Sequence, residues 1–132
     1  MLCESEMRIY QDLFLDSAAL NLHDYYSGLE RIFSRIATVV DANLPAGVNW
    51  HQQLLMQMQH DIPDIRPPVI SAHVAGTLDE FRRFRHVVRN IYAFQFDLAQ
   101  VARLVALMIN SFPQIRSEIQ EFAQFLKQVG DG

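Results

Sequence analysis

Residues 25–40 read Tyr25-Tyr26-Ser27-Gly28-Leu29-Glu30-Arg31-Ile32-Phe33-Ser34-Arg35-Ile36-Ala37-Thr38-Val39-Val40. Apolar side chains fall three or four apart, at Tyr25, Tyr26, Leu29, Ile32, Phe33, Ile36, Val39 and Val40. That spacing lines one face of an α-helix, whereas a half-buried strand needs strict alternation. Upstream, Tyr10, Leu13, Phe14 and Leu22 extend the pattern across a weaker patch at 17–20, so the first segment is one very long helix or two joined by a kink. Downstream, Asp41-Ala42-Asn43-Leu44-Pro45-Ala46-Gly47 supplies turn chemistry and a proline stop. Asn49 can cap a short second helix over 50–59.

Residues 61–68 hold three prolines, each lacking an N–H and biasing its predecessor toward extended backbone, so this stretch is a loop. Ser71 can cap the next helix, which reaches about residue 94; alternatively Thr77 starts it, with Glu80 completing a capping box. The last helix begins near Asp97 and shows an apolar face at Leu98, Val101, Val105, Met108 and Phe112. Pro113 kinks or splits it; Ile115, Ile119, Phe122, Leu126 and Val129 carry it on to Gly130. No stretch alternates like a strand, so the sequence predicts an all-α protein. Residues 1–132 read as one domain, an up-and-down four-helix bundle with a short extra helix.

The chain has 132 residues, half of them apolar and 20% charged, enough to build a core and unlike collagen-like or disordered sequences. Its one cysteine, Cys3, allows no internal disulfide and no thiolate cage. The N-terminus is acidic, and the longest apolar run, residues 104–109, is far too short to span a bilayer. A cytoplasmic protein without membrane insertion is expected. A net charge of −4 argues against coating nucleic acid through bulk electrostatics, so any such contact must be local.

One local feature answers that requirement. Ten of the eleven basic residues are arginine, and Arg82, Arg83, Arg85 and Arg89 fall within eight positions. At about 100° per residue, Phe84, Val87, Val88 and Ile91 share one arc of their helix, while Arg82, Arg85, Arg89 and Tyr92 share the opposite arc with His86 at its edge. Clustered guanidiniums repel one another and suit a phosphate, which accepts two parallel charge-assisted hydrogen bonds from each fork. Alternatively the chain's own acids, such as Asp24, Glu30 or Asp79, neutralise the stripe.

The string Phe84-Arg85-His86-Val87-Val88-Arg89-Asn90-Ile91-Tyr92 resembles the signature of HEPN-domain proteins of the HepT-like type, ribonuclease toxins paired with minimal nucleotidyltransferase antitoxins. Their motif is Arg, four residues, His, one residue, Tyr. Arg85 and Tyr92 match its ends, His86 fits the polar position after the arginine, and Asn90 stands where the histidine belongs. Tyr26-Ser27-Gly28-Leu29-Glu30-Arg31-Ile32-Phe33 looks alike as well. The resemblance implies a HEPN-like bundle and a symmetric homodimer whose motif helices build a shared arginine-rich cleft. It also implies metal-independent RNA cleavage, with tRNA among the candidate substrates, through Arg85, His86, Asn90 and Tyr92, with Arg82 and Arg89 holding phosphate and no cofactor. AMPylation of Tyr92 by the cognate nucleotidyltransferase is a further implication. Because asparagine cannot accept a proton, either His86 stands in as base or cleavage relies on positioning and arginine charge. The competing reading is a noncatalytic module that binds the nucleotidyltransferase and presents a nucleotide or Tyr92 to it.

Other signals are weaker. Arg66, six residues, His73 matches a wider form of the motif, but Pro67 and Pro68 intervene and Ala75 sits where a tyrosine would be. His51, His60, Asp61, Asp64 and His73 form no tight ligand cluster and read as surface polar groups, so no metal is implied. Tyr25 and Tyr26 read as core and Trp50 as an anchor for the short helix. No serine has a convincing triad, and no glycine-rich phosphate loop exists.

Overall fold

The computed structural model describes residues 3–90 and 98–131; the side chains of residues 10–12, 86–90 and 131 lie outside that description. The described residues form four helices, α1 (Glu4–Val39), α2 (Trp50–Met58), α3 (Ala72–Asn90) and α4 (Leu98–Asp131), and no strand; one isolated bridge pairs Ile62 with Arg66. The fold is all-α, as the periodicity of residues 25–40 requires.

Cross-helix contacts fix the direction of each helix. Arg85 of α3 pairs with Glu30 of α1, while Arg66, just before α3, pairs with Asp41, just after α1, so α1 and α3 run antiparallel. Glu118 of α4 receives Ser71 at the start of α3, and Arg103 meets Glu80, so α4 reverses α3. The long helices therefore alternate up and down. The short helix does not: His51 meets Glu30 and Gln57 meets Asp41, so α2 climbs in the same sense as α1 after the 41–49 connection has run back along it. This return is what carries His51 to the level of Arg85.

Between the helices lies a core in which Tyr26, Phe33, Leu54, Met58, Ile70, Leu78, Phe81, Leu104 and Ile115 are almost fully buried. Tyr25 sets its ring edge-on against Phe81, 5.7 Å away, and Trp50 is half-buried against the same core. Both tyrosines and the tryptophan thus pack as expected.

Several local expectations change. α1 continues without a break through Ser17, and α4 passes through Pro113 and Gly130 to Asp131. Proline 113 removes the N–H that Ile109 C=O would accept, yet Ile109 is exposed, so water can serve that carbonyl. Leu13 and Phe14, expected in the core stripe, are more than half exposed, and among the described side chains of α1 Leu15 is partly buried and Ala18 is the first that is buried. Leu98 and Phe112 are exposed too; the buried stripe of α4 is centred on Val101, Leu104, Ile115 and Phe122, and these two flank it. Asn49 makes no side-chain cap: its backbone is turned (φ −101°, ψ 24°), and only its carbonyl accepts, from Gln53 N–H.

Ser71, not Thr77, caps α3. Its Oγ accepts from Val74 N–H at 3.2 Å and donates to Glu118 Oε2 at 2.9 Å, while its own N–H donates to Glu118 Oε1 at 2.6 Å. Losing both Oγ bonds in Ser71→Ala is expected to lower unfolding free energy by about 1–2 kcal/mol, read from the urea midpoint. An unchanged midpoint would show that the hydroxyl contributes nothing to joining α3 to α4.

Candidate functional site

Three elements converge near the C-terminal third of α1. Glu30 is buried on α1, His51 lies in the first turn of α2, and Arg85 lies on α3. Arg85 Nη1 donates to Glu30 Oε1 at 2.5 Å, and His51 Nδ1 lies 2.7 Å from Glu30 Oε2. Each carboxylate oxygen therefore serves a different partner. Arg85 Nη1 and His51 Nδ1 are themselves 3.3 Å apart, as two groups converging on one carboxylate must be. The His51 ring also stacks on Trp50, centroids 3.6 Å apart and 30° inclined.

Beside this triad is a cavity of about 320 Å³, walled by Val48, Asn49, His51 and Gln52 on one side and by Arg82, Arg83 and Arg85 on the other. Arg82 donates to Asp79 at 2.7 Å and Arg83 reaches the same carboxylate at 3.3 Å. Three guanidinium charges thus meet two carboxylates, and one positive charge is unmatched among the described residues. Of the acids considered as neutralisers, Glu30 and Asp79 take part. Asp24 instead lies exposed beside His23. Burial pushes the Tyr26 phenol far above its ordinary range; Glu30 adds to the rise, Arg82 and Arg85 oppose it, and Asp79 adds again.

Arg85 is incompletely satisfied. Its Nε is buried without a partner, and one Nη1 bond to Glu30 leaves most of its five donors unused among the described residues. Arg66 is its opposite. Fully buried, it forks onto Asp41 through Nε (2.6 Å) and Nη2 (2.8 Å) and satisfies the carbonyls of His60, Pro67 and Gln57. Arg66 holds the proline loop to the end of α1, while His73 is exposed on α3. The Arg66/His73 pattern has no site around it.

Of the residues expected at the site, Arg85 and Arg82 line the cavity. The side chains of His86, Arg89 and Asn90, and Tyr92 altogether, lie outside the described residues, as does Asp97. Sequence reasoning set His51 among scattered surface groups, although it is half-buried in the triad. Its signal was tertiary: nothing in the spacing of positions 30, 51 and 85 announces their meeting. Arg85 itself faces α1 and α2, where Glu30 and His51 meet it.

No helix among the described residues is long and apolar enough to cross a membrane, and none of their His, Cys, Asp and Glu side chains gather in threes to hold a metal ion. Comparison with curated proteins and with solved structures finds no match. A family model described as HepT-like protein matches residues 17–126, a span that includes all of α2 and α3, most of α1 and α4, and the whole triad. The chain accordingly belongs to the HepT-like family of HEPN-domain proteins.

Proposed function

We propose that this chain is the ribonuclease toxin of a toxin–antitoxin pair, held in check by a minimal nucleotidyltransferase, and that the Arg85 cavity is where it grips the phosphodiester of RNA. The reading rests on the contrast between the buried Arg66 and the part-buried Arg85. Arg66 has every donor engaged and is structural; Arg85 stands at a cavity with donors to spare and a surplus positive charge beside it. A guanidinium so placed can stabilise charge developing on phosphorus without reorganising. His86, Asn90 and Tyr92 complete the motif in sequence, and the groups required for attack by the ribose 2′-OH are side chains, so the proposed chemistry is metal-independent. Purified protein incubated with a tRNA pool in a chelator should yield discrete fragments ending in 2′,3′-cyclic phosphate. Intact RNA at every pH between 5 and 9 would refute the reading.

Asn90 in place of the motif histidine favours the second reading, a noncatalytic module that engages the nucleotidyltransferase. Expression without that partner separates them: growth arrest marks the nuclease, harmless accumulation the module.

A homodimer is part of the proposal. Ile9, Leu13 and Leu20 are each more than half exposed and fall together on α1, roughly opposite its buried Ala18 and Leu22. An apolar stripe facing outward from a helix is a partner surface in waiting. Light scattering should give a dimer for the native chain and a folded monomer for Leu13→Glu combined with Leu20→Glu. A native monomer, or a dimer untouched by both charges, would contradict this.

A further inference from the structure

We propose that His51 is the proton-transfer residue of this site, held as a base by Glu30 and supplying the imidazole that position 90 lacks. The inference rests on the nuclease reading above and adds a residue outside the motif. Glu30 carries no proton to give while it pairs with Arg85, so the 2.7 Å contact has His51 Nδ1–H donating to Glu30 Oε2. Arg85 Nη1, at 3.3 Å from the same nitrogen, is then a second donor aimed at the carboxylate and not a donor to the ring. Fixing Nδ1–H puts the lone pair on Nε2, on the ring edge away from Glu30, and no hydrogen bond engages Nε2 among the described residues. Trp50 stacks on the ring and limits its rotation. A carboxylate that sets the tautomer and orientation of an imidazole is the working arrangement of a general base. Here that base shares one carboxylate with the guanidinium beside the cavity, so the proton acceptor and the phosphate-binding charge are placed by a single buried anchor.

The step balances without any other reagent. Nε2 takes the proton of the ribose 2′-OH, the 2′-oxygen bonds to phosphorus, and the bond from phosphorus to the 5′-oxygen breaks. The 5′-oxygen leaves with a proton from water, giving a 2′,3′-cyclic phosphate and a 5′-hydroxyl, and His51 returns its proton to solvent. The titratable and charged groups around this ring are Glu30 and the neutral Tyr26 phenol from α1 and Asp79, Arg82, Arg83 and Arg85 from α3. Protonation of His51 as pH falls removes the base, so the rate should fall with it. Glu30 is a positioning residue, and Asn49 and Gln52 share the wall of the cavity that His51 lines.

The test is the pH–rate profile for cleavage of labelled tRNA by the full chain. His51→Gln should slow cleavage about 100-fold and abolish the acid limb of the profile, while imidazole added to His51→Ala restores cleavage. His51→Asn keeps a donor where Nδ1–H stood and so guards against misfolding; it should melt like the native protein yet cleave as poorly as His51→Gln. Native rates and an intact acid limb in His51→Asn would overturn the proposal. If Arg85→Ala is inactive while His51→Gln and His51→Asn cleave normally, His51 is excluded and the nuclease reading survives. A native chain that cleaves no RNA defeats the nuclease reading and this inference together.

Discussion

Arg66→Ala is expected to lower the unfolding free energy by about 3–5 kcal/mol, because it leaves the fully buried Asp41 carboxylate without its counter-charge. Three backbone carbonyls, those of Gln57, His60 and Pro67, lose their guanidinium bond in the same step, and of these the Gln57 carbonyl keeps the His60 N–H. Their partners are the turn after α2 and the proline loop, so the damage should spread to the start of α3. Asp41→Ala should cost a similar amount. Replacing both, as in Arg66→Met with Asp41→Leu, removes the buried charges as a pair and should recover most of the loss. The ion pair also sets a pH dependence. Burial pushes the Asp41 carboxyl up, but hydrogen bonds from Arg66 and Gln57 and the Arg66 charge outweigh it and hold it below the usual carboxylate range. Its contribution is therefore complete above about pH 4 and is lost as pH falls through the lowered value. Urea midpoints of the native chain should drop steeply below that point, and those of the double variant less so. A midpoint in Arg66→Ala within about 1 kcal/mol of native would remove Arg66 from its structural role.

Arg85→Ala carries the largest functional effect. Removing a preorganised charge from developing phosphorane charge typically costs about 100- to 1000-fold in rate, and here it should abolish detectable tRNA fragments. The alanine variant also leaves Glu30 with His51 as its one remaining partner among the described residues, which mixes a stability cost with the catalytic one. Arg85→Lys separates them. Lysine keeps a cation within reach of Glu30 and so keeps the fold, but it lacks the planar fork that grips a phosphate through two bonds. Cleavage by Arg85→Lys should fall about tenfold or more with an unchanged melting temperature. Native cleavage by the lysine variant would mean that Arg85 acts only as a structural charge.

How much of this was legible in the sequence depends on range. The period of three and four across 25–40 gives α1, because a helix face is a local property of spacing, and the prolines of 61–68 mark the loop for equally local reasons. Arg85 stood out through the crowding of arginines around it. Glu30 and Asp79 were named as neutralisers, and both are; what spacing could not say is that Glu30 uses its two oxygens on two different partners. His51 was lost among scattered polar groups because its place depends on the 41–49 connection doubling back so that α2 runs parallel to α1. Asn49 looked like a helix cap, since its residue type favours that role, but the backbone turns there and its side chain stands at the cavity instead. Leu13 and Phe14 read as core from the same periodicity that correctly buried Leu22, because amphipathic spacing marks a sticky face and not what covers it.

The measurement that bears most directly on the account is whether RNA phosphate reaches Arg85. An RNA dinucleotide with a 2′-deoxy sugar at the scissile position cannot be cleaved, and its binding can be followed through the side-chain Nε–H signal of Arg85 in ¹⁵N-edited spectra. The account predicts a saturable shift of that signal, lost when Arg85 is replaced by alanine, with the Arg66 signal unmoved. A stationary Arg85 signal at saturating dinucleotide, or equal binding by Arg85→Ala, would contradict it.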